Sequence, residues 1–262
     1  MINQHAIIHP SAKIADEVTI GPWTIIGENV EIGSGTIIGS NVNISKNTRI
    51  GINNTISSHA VLGTDPQHTG YQNEETWLEI GDHNIIREFV TINRGTKDVG
   101  ITIVGSHNYL MSYSHIAHDC VIGNHVIFAN LAMIAGHVRV GDFAVLGAYA
   151  GVHQFVNIGA YSFLGRATKI YQDILPYMLV TGNPGAPRKL NSVGLRRQGF
   201  NLETMSFLKE AFRIIFRRGL PQQEILAELQ KLSHGSQEIQ ALHNAIRVAK
   251  RGYARQDVEL EV

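Results

Sequence analysis

One spacing governs what this chain can fold into. Beginning at Ile8, an apolar residue recurs every six positions through Ile14, Ile20, Ile26, Ile32, Ile38, Ile44, Ile50, Ile56 and Leu62. The series resumes in the same phase at Ile80, Ile86 and Ile92. It resumes again from Val104 through Leu110, Ile116, Ile122, Phe128, Ile134, Val140, Leu146, Val152, Ile158 and Leu164 to Ile170. That makes 25 hexads, too many in one register to arise by chance. Gly directly follows the apolar residue in 13 of them, and a small or β-branched residue such as Thr24, Val30, Thr36, Val42 or Thr48 precedes it by two.

Six is neither a helical period nor a simple strand period. It fits a two-residue strand with inward residues at i−2 and i, followed by a tight turn in which Gly supplies positive φ and close backbone approach. Three such units close a triangular coil of 18 residues, and coils stack at about 4.8 Å into a narrow prism. An aromatic content of only 7% suits so slim an interior. The expected class is all-β, and the repeat resembles the left-handed parallel β-helix, an exception to the right-handed crossover rule.

Gly63 to Glu79 and Asn93 to about Ile103 break the pattern and are expected to project as loops, where binding residues tend to sit. Beyond Ile170, Pro176, Pro184 and Pro187 signal a change of structure. The expected division is a β-helix over 1–187 and a helical C-terminal domain over 188–262. Asn201 caps a helix bearing Met205, Leu208, Phe212 and Ile215; Pro221 opens one bearing Ile225, Leu229 and Leu232; Ser236 caps one bearing Ile239, Leu242, Ile246 and Ala249.

The 22 Lys+Arg balance 22 Asp+Glu, which argues against a nucleic-acid binder. The balance conceals an asymmetry: from Arg188 onward 13 basic residues face 8 acidic ones, so the helical region carries +5 and the prism −5. A basic cap fits either an acidic partner or a merely solvated face. A single cysteine excludes a disulfide framework. There is no basic, apolar leader at the N-terminus and no apolar run of membrane-spanning length, so a soluble, cytoplasmic protein is expected.

Chemistry is sought on the coil grid. His118, His137 and His153 are separated by 19 and 16 residues, each close to one coil, which puts them along one edge of the prism. His115 faces out on the adjoining wall. Solvated surface histidines, a metal site built on His115-x-x-His118, and a general base at His118 with Asp119 beside it are all compatible with this pattern. Gly136 lies one coil above His118, where its N–H could meet a developing oxyanion. Cys120 falls at an inward position and reads as a buried apolar residue.

These residues also resemble a known family. His115-Ile116-Ala117-His118-Asp119-Cys120, Ala135-Gly136-His137-Val138 and Val152-His153-Gln154-Phe155 are similar to the UDP-N-acetylglucosamine 3-O-acyltransferases of lipid A biosynthesis. The similarity extends through Ile85-Ile86-Arg87-Glu88, Asn93-Arg94-Gly95-Thr96, Asn191 and Gly194 to Phe200. It implies a homotrimer with active sites between prisms, an acyl carrier protein as acyl donor, a UDP-sugar acceptor, and neither cofactor nor metal. His118 would be the general base, Asp119 its orienting partner, and Gly136 the oxyanion donor. His115, His137, His153, Gln154, Asn191 and Arg197 would contact the sugar nucleotide.

Certain positions depart from the family. Pro66-Gln67-His68-Thr69-Gly70-Tyr71 replaces a Pro-Gln-Asp-Leu-Lys-Tyr pattern, which leaves His68 to supply a polar contact. Val193 replaces a glutamate, Gln198 a second arginine, and Arg166 a glycine of the acyl-chain pocket. Arg166 is therefore expected to shorten the preferred acyl chain. Two alternatives to O-acylation stay open: acylation of a 3-amino sugar nucleotide, and a β-helix zinc carbonic anhydrase using His115, His118 and His137.

Overall fold

The computed structural model describes residues 1–233, 236–249 and 252–255. Strands of mostly two or three residues build three walls of nine, eight and ten strands, parallel except for the last strand, and as far as Lys169–Ile170 successive strands pass from wall to wall in strict rotation. Partners within a wall are 18 residues apart, as in Ile7 with Ile25 and Ile116 with Ile134. The architecture is a left-handed parallel β-helix followed by a C-terminal α-helical region, as the hexads imply.

Two excursions interrupt the coil, over residues 65–76 and 94–100, between strands Val61–Thr64 and Trp77–Ile80 and between Thr91–Asn93 and Ile101–Val104. Across them the pairing steps by 30 and by 24 residues, as in Thr48 with Leu78 and Thr91 with His115. Both exceed a full coil by a multiple of six, so the apolar phase survives. The inward residues form one continuous core from Val18 to Val180. At i−2, several residues are polar and form a ladder: Asn54, Asn84 and Asn108 are buried, and their side-chain oxygens accept the N–H groups of Asn84, Asn108 and Val126 in turn.

The turn glycines do only half of what was expected. Positive φ falls at i+3, on residues such as Asp119 (61°) and His137 (62°). At i+1 Gly is required by proximity: a Cβ on Gly21 or Gly33 would lie 2.6 Å from the backbone of the next coil.

The hexads stop at Ile170, but the longest wall does not. Strand Met178–Gly182 pairs in parallel with Phe163–Leu164, and Gly185–Leu190 closes that edge antiparallel, with Pro187 on the rim where a missing donor costs nothing. Four helices follow: α1 (Ser192–Arg197), α2 (Leu202–Phe216), α3 (Gln222–Leu232) and α4 (Gln237–Val248). Asn201 and Ser236 cap α2 and α4 through their side chains, whereas Pro221 precedes α3 without a side-chain cap. The buried faces of α2, α3 and α4 include the expected Met205, Leu208, Phe212, Ile215, Ile225, Leu229, Ile239, Leu242 and Ile246. Helix α1 has no counterpart in the sequence reading.

Candidate active site

The coil geometry delivers His118 and Asp119 to a corner of the prism directly after strand His115–Ile116. The left-handed backbone of Asp119 turns its carboxylate back toward the preceding imidazole. Nδ1 of His118 lies 2.8 Å from Asp119 Oδ2, so neighbours in sequence do touch. The second excursion completes the arrangement. The Thr96 N–H donates to Asp119 Oδ1 at 2.8 Å and its hydroxyl to Oδ2 at 2.7 Å, while the Asp119 N–H donates to the Thr102 hydroxyl. Burial alone would raise the Asp119 carboxyl, but hydrogen bonds from His118 and Thr96, with His137 close by, outweigh it and hold the group below the usual carboxylate range. An ionised Asp119 only accepts, so His118 donates to it from Nδ1, which leaves Nε2 as the basic atom of the neutral tautomer.

Gly136, one coil above, faces that nitrogen. A Cβ at Gly136 would lie 2.5 Å from Cε1 and 2.8 Å from Nε2 of His118, so only glycine leaves the ring in place. Among the described residues the Gly136 N–H has no acceptor, and it is open to a negative oxygen. His118 and Gly136 border a cavity of about 520 Å³ that also takes in Gln67, His68, His115, His153 and Gln154. The His68 ring stands edge-on to His118, with centroids 5.4 Å apart. His68 Nδ1 accepts from the Gly70 N–H, which leaves the ring proton on Nε2. His115 contacts the Thr91 hydroxyl at 2.7 Å, and burial pushes the pKa of its imidazole down.

The expected site residues do not all converge. His137 sits on the other side of the corner, its Nε2 3.5 Å from Asp119 Oδ2 and its ring stacked on Phe155. Burial lowers the His137 pKa as well. His118, Asp119 and His137 thus bring three metal-capable atoms within 4.8 Å, although the carboxylate is already engaged by Thr96 and His118. Asn191 and Arg197 lie on another wall, around a separate cavity of about 430 Å³ with Tyr161, Phe163 and Leu179. Asn191 is buried and structurally occupied: its amide donates to Tyr161 O, and its oxygen accepts from the Gly194 N–H at the start of α1.

Arg166 is exposed, its guanidinium 5.6 Å over the Tyr149 ring and outside the His118 cavity. The cation that lines that cavity is Lys169, which pairs with Gly151 in the column His115, Met133, Gly151, Lys169. Its side chain folds back over Gly151, where an added Cβ would meet Nζ at 2.9 Å. Sequence reasoning missed Thr96 and Lys169. Thr96 belongs to a motif noted above, but its contact with Asp119 spans 23 residues that no periodicity relates. Cys120 is buried with its thiol pushed up to about 12 by burial, as a core residue should be.

Known proteins resemble this chain in sequence and in fold. Residues 173–254 match the sequence profile of UDP-N-acetylglucosamine O-acyltransferase domain 2, and residues 1–34 and 101–136 match that of the bacterial transferase hexapeptide. An acyl-[acyl-carrier-protein]–UDP-N-acetylglucosamine O-acyltransferase from Halorhodospira halophila is 48% identical over 97% of this chain and 99% of its own. Two solved UDP-N-acetylglucosamine acyltransferases superimpose closely. That of Acinetobacter baumannii has a TM-score of 0.95 at 43% identity, over 97% of this chain and 99% of that one. That of Bacteroides fragilis has a TM-score of 0.96 at 41% identity, over 97% and 100%. With near-complete coverage on both sides, this chain belongs to the acyl-[acyl-carrier-protein]–UDP-N-acetylglucosamine O-acyltransferase family.

Proposed function

We propose that this chain transfers a 3-hydroxyacyl group from acyl carrier protein to the 3-hydroxyl of UDP-N-acetylglucosamine, the first step of lipid A biosynthesis. The observation that carries the reading is the line from Thr96 through Asp119 and His118 to Gly136. His118 Nε2 takes the proton of the acceptor hydroxyl as its oxygen attacks the thioester carbonyl. The Gly136 N–H receives the resulting oxyanion. Collapse of the tetrahedral intermediate breaks the C–S bond, and the imidazolium returns the proton to the leaving thiolate. Asp119 stabilises the imidazolium throughout and keeps the tautomer correct. A thioester is already activated, so the step calls for no cofactor. His68, His115, His153 and Gln154 surround the acceptor.

The working unit in this reading is a homotrimer in the cytoplasm. The outer face of the ten-stranded wall carries Ile85, Tyr109, Ile127, Val145 and Phe163 in one column, an apolar strip suited to a neighbouring prism. Such packing gives Asn191 and Arg197 a route to the His118 cavity of the next protomer. The positive charge of the C-terminal region suits an acidic carrier protein. Within that region Arg213, Arg218 and Lys231 are paired with Glu210 and Glu228, and the docking surface in this reading is centred on Arg188, Lys189, Arg196 and Arg197, four cations within ten residues. Among the described residues no helix is long and apolar enough to cross a membrane.

The test is product analysis by mass spectrometry after incubation with 3-hydroxyacyl carrier proteins and UDP-N-acetylglucosamine. A mono-acylated sugar nucleotide whose acyl group hydroxylamine releases supports the reading. Acylation of only the 3-amino analogue, or of neither acceptor, refutes it.

A further inference from the structure

Arg94 is the largest side chain with essentially no exposure, and catalysis as derived above makes no use of it. Burying a guanidinium is costly unless its donors are matched. Here one loop takes up the donors of both Nη groups, while Nε has no partner among the described residues. Nη1 donates to Gly63 O, and Nη2 donates to the Asp65 carboxylate and, at 3.0 Å, to the Tyr71 hydroxyl. The Arg94 N–H donates to Thr64 O at 3.0 Å, and the neighbouring Asn93 amide donates to Thr64 Oγ1 and Asp65 O. Tyr71 is held further, its hydroxyl donating to Glu74 O at 3.2 Å.

The partners of Arg94 flank Gln67 and His68 on both sides, and those two residues are the loop's contribution to the His118 cavity. A surface loop of this length without such a tie samples many conformations, because its closure constrains only the two ends. Two residues further on, Thr96 fixes the Asp119 carboxylate from the same short segment. One excursion thus grips both the base and, through Arg94, the wall facing it.

We infer that Arg94 is a positioning residue for acceptor binding: it clasps residues 63–71 so that Gln67 and His68 form a preorganised wall of the sugar-nucleotide cavity. The inference rests on the proposed acceptor site and deepens it. Its signature is a loss of acceptor affinity without a matching loss of chemistry, because the clasp touches neither His118 nor Gly136.

The experiment uses Arg94→Met, which keeps bulk and removes the donors, and Tyr71→Phe, which removes one hydroxyl and leaves no buried charge unpaired. Acceptor affinity is measured by calorimetry with UDP-N-acetylglucosamine alone, and kcat at saturating acceptor. The expected result is affinity weakened about tenfold in Arg94→Met and about threefold in Tyr71→Phe, with kcat within about threefold of the parent. Amide hydrogen exchange over residues 65–76 should quicken in both. In a His68→Ala background, Arg94→Met should weaken binding by less than about twofold further, since the clasp acts through the loop it holds. Should Arg94→Met not fold, Tyr71→Phe alone decides. A fall in kcat at unchanged affinity, or full additivity with His68→Ala, overturns the clasp. Parent enzyme that fails to bind UDP-N-acetylglucosamine at all overturns the functional reading instead.

Discussion

Replacing Gly136 with alanine adds a single carbon, yet it should cost the enzyme most of its rate. The new Cβ would sit 2.5 Å from Cε1, 2.8 Å from Nε2 and 3.1 Å from Nδ1 of His118, the first two shorter than a tolerable contact. The coil cannot yield, because the His137 N–H, next in the chain, is bonded to His118 O at 3.0 Å. The imidazole must therefore move by about 1 Å, toward the edges of His68 and His137, which already lie with centroids 5.4 and 5.3 Å from it. That movement strains the 2.8 Å bond to Asp119 and misaims Nε2. A misplacement of about 1 Å costs on the order of 10²-fold, and weakening a hydrogen bond to a charged group adds about tenfold, so kcat should fall by 10²–10³. That is about 3–4 kcal/mol of transition-state stabilisation. Overpacking at a site that opens onto a cavity should cost only about 1–2 kcal/mol of stability. Steady-state kinetics beside a denaturant titration would separate the two. Turnover within about threefold of the parent would refute the assigned geometry of His118 and Gly136.

Other expectations follow from the same geometry. Asp119→Asn should lower kcat by about 10²–10⁴-fold through loss of the tautomer, measured at saturating substrates. The folded-state pKa of Asp119 lies below its unfolded value of about 3.9, so its stabilisation is complete above that pH and is lost as pH falls through the folded value. The stability gap between parent and Asp119→Asn should accordingly shrink below about pH 4 in thermal melts. If sites form between protomers, mixing inactive His118→Ala and Arg197→Ala chains should restore about a quarter of parental activity, the chance that both residues at one interface are intact. No recovery would place Arg197 outside the site. Lys169 stands three coils above His115, about 14 Å along the groove, so Lys169→Gly should shift donor preference toward longer chains. Arg166→Gly should shift it less, because that side chain rests on Tyr149, and a donor competition assay would compare the two.

The prism was legible in the sequence because each coil repeats the same inward residue, so Ile8 to Ile170 carry the fold without any long-range knowledge. The placement of His118 against Gly136 was legible for the same reason: they are one coil apart, and the period superimposes them. Where the period fails, so does the reading. Strand Met178–Gly182 continues a wall without a hexad to announce it, because prolines and an antiparallel return replace the turn. Arg94 and Thr96 act across excursions whose lengths preserve phase but whose paths follow no repeat. Most glycines at i+1 serve by being thin and not by positive φ, a distinction that a hexad pattern does not carry. Arg166 and Lys169 differ by one corner of the prism, and side-chain direction at a corner follows from local packing.

The most direct measurement is the single-turnover rate of acyl transfer from 3-hydroxyacyl carrier protein to UDP-N-acetylglucosamine, for the parent chain and for His118→Ala. General-base catalysis by His118 predicts a rate about 10²-fold or more lower in the variant, with affinity for the sugar nucleotide changed little. A variant that retains most of the parental rate would contradict it.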